Sequence, residues 1–207
     1  MSPVALLVIA KQPVAGRAKT RLTPPCSPAQ AATLAGAALL DTLDVVARTA
    51  AARKVLVFDG DARGWRPDGF TLIAQRGNTL GERLEAAFED VPGPALLIGM
   101  DTPQMTPELL LDGMSALTRR DVDAVLGPTV DGGYWSVGFR DSVPRAFEGV
   151  PMSSPRTWAH QRARFEHIGL RVHEQALLRD VDTIDDARAV ASRAPQTRFA
   201  QALWALA

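Results

Sequence analysis

The chain has 207 residues, 46% of them hydrophobic, enough apolar material for one sizeable core and most simply one domain, 1–207. Its 23 basic residues balance 23 acidic ones, which argues against a general nucleic-acid binder, and one cysteine (Cys26) with three histidines argues against disulfides and zinc and for a reducing, cytoplasmic setting. Lys11 interrupts the N-terminal apolar run and no basic region precedes it, while no uncharged apolar stretch reaches the ~18 residues of a membrane span, so neither a secretory signal nor a membrane partner is expected.

Val4–Ala10 is continuously apolar and reads as a strand buried on both faces. The basic stretch Lys11 to Leu22 follows, then a helix from Ser27 to about Ala52, with Ser as N-cap, Pro at its first position and Gln at its third. Strands are expected over Lys54–Phe58 and Phe70–Ala74. Thr79-Leu80-Gly81-Glu82 reads as a second capping box, opening a helix to about Asp90. Pro94–Met100 is again an all-apolar strand, ending on Asp101. A helix from Thr106 to about Arg119 and strands over Ala124–Leu126 and Tyr134–Phe139 come next, the last pair joined by a loop short enough for antiparallel pairing. A short helix is expected over Asp141–Glu148, mixed structure over Met152–Ile168, a strand over Arg171–Glu174, a helix after Thr183, and a final helix over Gln196–Leu206. Strands alternating with helices make this an α/β fold, a three-layer α/β/α sandwich with a mainly parallel sheet. Ligands in such folds bind beyond the carboxyl ends of the strands. Several chemistry-bearing residues fall there.

The basic stretch carries Lys11, Arg17, Lys19 and Arg21 around Gly16, and no acidic residue occurs before Asp41. It lacks the glycine directly before lysine of a Walker A loop, and its single glycine excludes a dinucleotide fingerprint. A phosphate site remains: Gly16 lets backbone N–H groups approach the anion, and Lys19 and Arg21 neutralise it. A solvated basic turn is the alternative. Asp101, at the end of a buried strand, can hold Mg²⁺ or Mn²⁺ shared with substrate phosphates, with Asp182 as a second acid and Asp180 directed to the opposite side. Capping roles are the bland readings of both. Asp131-Gly132-Gly133-Tyr134 combines an acid, two conformationally free glycines and an aromatic beside a ligand, or simply makes a turn. Arg83, on the helix that Gly81 opens, can reach a phosphate or pair with a carboxylate.

In combination these motifs resemble the bacterial DUF2064 family: Lys-x-Pro-x-x-Gly-x-x-Lys-Thr-Arg-Leu (11–22), Leu-Gly-Glu-Arg (80–83), Gly-x-Asp-x-Pro (99–103), Gly-Pro-x-x-Asp-Gly-Gly-Tyr (127–134) and Asp-Val-Asp-Thr (180–183). Members are commonly labelled glycosyltransferases, one branch being linked to arsenosugar biosynthesis. The family is similar to GT-A-type nucleotide-diphospho-sugar transferases, and to the nucleotidyltransferases that make phospholactate-guanosine, CMP-Kdo and the guanylylated molybdenum cofactor. The resemblance implies a GT-A-like fold with Ala10, Lys11, Gly16, Lys19, Arg21, Gly81 and Arg83 binding nucleotide. It further implies that Lys19, Arg21 and Asp101 are catalytic, that Asp101 and Asp182 hold Mg²⁺ or Mn²⁺, and that Asp131, Gly132, Gly133 and Tyr134 hold the second substrate. Residues 152–157 depart from the Trp-Ser/Thr-Thr-type motif usual there.

Three functions compete. A glycosyltransferase would move a sugar from a nucleotide-sugar to a small-molecule acceptor with loss of a nucleoside diphosphate. A nucleotidyltransferase would place Lys19 and Arg21 on an α-phosphate and release pyrophosphate. A non-catalytic nucleotide binder would have lost its acceptor site, as the altered 152–157 region allows. The family label favours the first. A homodimer is carried as an expectation without a specific sequence warrant.

Overall fold

The apolar N-terminal run forms β1 (Ala5–Lys11) near the middle of a seven-stranded sheet in a computed structural model that describes residues 4–206. The chain continues through α1 (Pro28–Arg48), β2 (Lys54–Asp59), β3 (Phe70–Ala74), α2 (Leu80–Asp90), β4 (Ala95–Gly99) and α3 (Pro107–Ala116). It ends with β5 (Ala124–Pro128), β6 (Tyr134–Phe139), α4 (Thr157–His167), β7 (Val172–Glu174), α5 (Ile184–Arg193) and α6 (Arg198–Trp204). The sheet order is β3-β2-β1-β4-β6-β5-β7. Strand β6 runs antiparallel to both β4 and β5, and the other pairings are parallel.

β1 is apolar throughout because both its faces are covered. Leu6, Val8 and Ala10 enter one cluster with Leu39, Leu43 and Val46 of α1 and Leu110 and Met114 of α3. Ala5 and Leu7 enter another with Leu84 and Ala87 of α2 and Phe165 of α4. Leu6 and Leu7 are fully buried, each contributing roughly 1.5–3 kcal/mol of transfer free energy. A third cluster packs the far side of α1, through Leu34 and Ala38, against Val190 of α5 and Phe199 and Leu203 of α6. This double burial explains the helix's composition: α1 is long and apolar enough to cross a membrane, yet here its two faces meet the sheet and the C-terminal helices. Asp41 of α1 ties this layer together by accepting hydrogen bonds from the N–H groups of Arg198 (3.0 Å) and Phe199 (2.8 Å), which open α6.

The expected capping boxes form at Ser27 and Thr79, and another forms at Thr183. Helix α1 stops at Arg48 rather than near Ala52, since Thr49 turns to extended backbone and its hydroxyl donates back to the Val45 carbonyl (2.8 Å). The helix expected over Asp141–Glu148 is absent, and the segment is a run of turns. Pro144 offers no N–H, Arg145 adopts a left-handed φ of 62°, and its own N–H is taken by Glu85 of α2 (2.5 Å).

Away from the strand ends that carry the site, Asp123 staples the β5 and β7 edge. Its carboxylate accepts from the Arg171 Nε (2.7 Å) and backbone N–H (3.0 Å) and from Arg140 (2.7 Å). The Arg171 hydrogen bond is the main reason that its pKa is held down to about 2. A depressed carboxylate adds stability above its unfolded value, about 4, and loses that contribution as pH falls toward 2. Asp123→Ala is therefore expected to cost about 1–3 kcal/mol in urea unfolding at pH 7, a gap that closes below pH ~3.

Candidate functional site

The strand order reverses around β1, so the ends of β1, β2 and β4 meet at one edge of the sheet. Because β6 is antiparallel, its first residues, with the Asp131–Gly133 loop before them, emerge at that same edge. A cleft of about 710 Å³ opens there. Lys11, Lys19, Asp101, Asp131, Tyr134 and Asp182 are among its lining residues.

The basic loop is anchored rather than floppy. Ala18 and Leu22 are buried, and the Arg17 and Ala18 N–H groups both donate to the Val14 carbonyl (3.0 Å each). Anchoring on either side turns Lys19 inward. It adopts left-handed backbone (φ 49°, ψ 44°), and its side chain is only 10% exposed. Its Nζ lies 2.8 Å from Asp101 Oδ1 and 3.7 Å from Asp182 Oδ1. Burial opposes the charge on Lys19, but the pull and hydrogen bond of Asp101, joined by Asp182 and Asp180, prevail and hold its pKa above the ordinary lysine value. Arg21 forms an ion pair with Asp182. The two cations expected to grip an anion thus hold the two acids expected to grip a metal. Lys11 and Arg17 also line the cleft, and among the described residues neither pairs with a carboxylate; the Lys11 Nζ reaches only the Arg17 carbonyl, at 3.5 Å.

Asp180 joins the site instead of pointing away. Oxygens of Asp131, Asp180 and Asp182 lie within 4.8 Å of one another. Val181 between them is buried, and its N–H donates to the Asp101 carbonyl (2.9 Å), so both flanking acids face the cleft. Residues two apart share a face in extended chain, and that alternation was the signal in the sequence for Asp180. Burial, then the neighbouring charges of Asp131 and Asp182, push the Asp180 carboxyl up to about 6 against the opposing pull of Lys19. Asp131 is itself fixed by the Thr129 hydroxyl (2.6 Å) and the Gly133 N–H (2.9 Å). Asp101 stands outside this triad, beside Lys19.

The other expected residues are distributed around the cleft. Gly16 stands outside its lining: at φ 76° it makes the turn, with open space where a Cβ would sit. Ala10, Lys11 and Arg83 line an adjoining cavity of about 430 Å³, which shares Lys11, Asp101, Tyr134 and Ser153 with the main cleft. Arg83 donates to the Gly77 carbonyl (3.2 Å), Asp59 (3.4 Å) and the Gln75 side-chain oxygen (3.4 Å). Gly81 lies instead on a third cavity between α2 and the 144–152 turns. Gly132 (φ 88°) passes so close to the next loop that a Cβ would meet the Pro155 carbonyl oxygen at 1.8 Å, and its own carbonyl accepts from the Trp158 N–H (2.8 Å). This clamp builds the cleft wall from Met152 to Pro155, including Ser153 in left-handed backbone (φ 57°). These wall residues fall in the 152–157 segment whose departure from the family motif the sequence shows, though none of them was expected as a site residue. Tyr134 is packed below them, its hydroxyl directed at Gln161 Oε1 (3.4 Å), and burial pushes its phenol pKa up.

The fold has solved relatives. The crystal structure of a "putative nucleotide-diphospho-sugar transferase" from Desulfovibrio desulfuricans G20 is 30% identical to this chain, with a TM-score of 0.83 over 92% of this chain and 87% of that one. CMP:2-keto-3-deoxy-manno-octonic acid synthetase, solved with CTP, is 13% identical (TM-score 0.64; 94% and 99% of the two chains). Glucosyl-3-phosphoglycerate synthase from Mycobacterium tuberculosis, solved with Mn²⁺, UDP and glucosyl-3-phosphoglycerate, is 11% identical (TM-score 0.55; 94% and 80%). The last two share the GT-A-like fold. A search of curated proteins gave no significant match. A family model, DUF2064, described as "uncharacterized protein conserved in bacteria", matches residues 40–154, more than half of the chain, and together with the 30% relative it establishes that this protein belongs to the DUF2064 family.

Proposed function

We propose that the protein is a divalent-cation-dependent transferase that uses a nucleotide-activated donor, and that it moves a sugar from a nucleoside diphosphate to a small acceptor. The observation that carries this reading is the meeting of the Asp131–Asp180–Asp182 triad with a cationic rim, Lys11 and Arg17, at the strand ends. Of the four carboxylates Asp101, Asp131, Asp180 and Asp182, only Asp101 and Asp182 pair with a cation, Lys19 and Arg21, so Asp131 and Asp180 are the acids without an ion-pair partner among the described residues. Hard carboxylate oxygens suit Mg²⁺ or Mn²⁺, and a cation seated here would relieve part of what raises the Asp180 pKa, which is burial first and then the charges of Asp131 and Asp182. Such an ion, when bound, neutralises charge on the departing diphosphate.

The chain's own residues do the rest. Lys11 and Arg17 bind phosphate oxygens that the acids would repel. The adjoining cavity around Ala10, Gln75 and Arg83 takes the nucleoside, since it continues from the phosphate end at Lys11. The wall of Ser153, Ser154 and Pro155, opposite the basic loop, takes the acceptor. Residues 1–207 serve as one such domain, and a lone buried cysteine suits a cytoplasmic setting. The relatives' names agree with a nucleotide-using transferase of this kind.

Nucleotidyl transfer is the second reading, favoured by four cations (Lys11, Arg17, Lys19 and Arg21) around a single cleft, a complement for a triphosphate. Thermal-shift measurements with Mn²⁺ across nucleoside triphosphates and nucleotide-sugars separate the two. The first reading expects the larger stabilisation from nucleotide-sugars; the reverse order, with pyrophosphate release from a triphosphate, selects the second. Silence to every nucleotide would sink both.

A further inference from the structure

Of the two basic-loop cations paired with the acid cluster, Arg21 stays exposed, whereas Lys19 is turned inward, with a side chain nine-tenths buried and its ammonium between Asp101 and Asp182. We propose that Lys19 is a resident counter-cation that the divalent ion displaces: in the free protein it neutralises Asp101 and Asp182, and when the ion takes up Asp182 the ammonium swings out to the phosphate rim beside Lys11 and Arg17. The proposal rests on the cation reading above and adds a mobile partner to it.

Three observations carry it. First, Asp182 is claimed three times: its oxygens face Lys19 and Arg21, and one of them belongs to the triad. A divalent ion seated on the triad stands next to the Lys19 ammonium, and like charges repel strongly at that range. Second, Asp101 is 44% exposed and borders both the main cleft and the adjoining cavity, so it can exchange one cation for another without unfolding anything. Third, the Lys19 backbone lies in a region that non-glycine residues rarely adopt, fixed by the buried neighbours Ala18 and Leu22. Such a conformation is retained where its surroundings impose it, here aiming the side chain at the acids. The long lysine stem needs only side-chain rotation to bring its charge from one side of the cleft to the other. A fixed, unexchangeable cation in this position would compete with the divalent ion for Asp182. An exchanging one couples arrival of the ion to presentation of a phosphate ligand.

The chain has three lysines, Lys11, Lys19 and Lys54, which makes the test direct. Binding of Mn²⁺ alone to the full chain is followed by the loss of its free-ion paramagnetic resonance signal. In parallel, the rate of modification of each lysine by an amine-reactive reagent is read by mass spectrometry, with and without saturating Mn²⁺. In the metal-free protein Lys19 should react slowest. With Mn²⁺ its rate should rise several-fold, as its ammonium leaves the buried position between Asp101 and Asp182 for the open rim, while Lys54 stays constant. Mn²⁺ that binds with the Lys19 rate unchanged or lowered overturns the displacement and leaves the cation site standing. Mn²⁺ that does not bind overturns both.

Discussion

Gly132→Ala is expected to lower the melting temperature by roughly 6–12 °C, the equivalent of about 3 kcal/mol in a chain of this size. Two penalties combine. At φ 88° an alanine is held in left-handed backbone, and its Cβ would overlap the Pro155 carbonyl oxygen at 1.8 Å. That oxygen belongs to backbone, so the loops must part rather than a side chain rotate. Parting them moves Ser153, Ser154 and Pro155 away from the basic loop and widens the cleft. Ligand binding should therefore fall by more than the lost stability alone explains when measured well below the melting point. Gly16→Ala is the informative contrast: it shares the left-handed backbone but faces open space, and should shift melting by no more than about a third as much. Equal shifts for the two variants, or a change of under roughly 2 °C for Gly132→Ala, would show that the loop contact does not shape the cleft.

Asp180→Asn should separate stability from binding. The folded protein holds this carboxyl at about 6, above its unfolded value, so ionisation costs the fold stability. The sign follows directly: below pH ~4 the variant and the wild type should be equally stable, and between pH 4 and 6 the variant gains an advantage that persists above. At pH 7, with chelator present, that advantage is expected to be about 1–2 kcal/mol after allowance for solvent screening. Mn²⁺ binding should move the other way. Removing one unit charge beside a divalent ion takes away an attraction of about 4 kcal/mol even for a single unit pair under an effective dielectric of 20, roughly a thousandfold, so binding should weaken by at least about 100-fold. A variant less stable than wild type that binds Mn²⁺ as well would show that the triad is a structural cluster and not a cation seat.

Local chemistry made much of the fold legible. β1 and β4 are apolar at every buried position because both faces of the sheet are covered, a pattern that only central parallel strands need. The boxes at Ser27 and Thr79 announce their helices because a cap is settled within four residues. The Asp141–Glu148 segment misleads because Glu85, from a different helix, takes the Arg145 N–H. For the candidate site, strand ends pointed to the edge of the sheet where the cleft opens and to most of the acids that line it. Partnership was not legible. Nothing local reveals that Lys19 is spoken for by Asp101, or that the cations without an acidic partner are Lys11 and Arg17. Gly132 showed conformational freedom in the sequence, but its need for glycine comes from Pro155 on another loop.

We propose that this cleft binds a nucleotide's phosphates through a divalent ion held by Asp131, Asp180 and Asp182. Calorimetric titration of the most stabilising nucleotide, with Mn²⁺ and then with chelator, tests it most directly. Binding should weaken by at least about tenfold without the ion, and that ion dependence should be lost in Asp180→Asn. Binding of equal strength in the two conditions would contradict it.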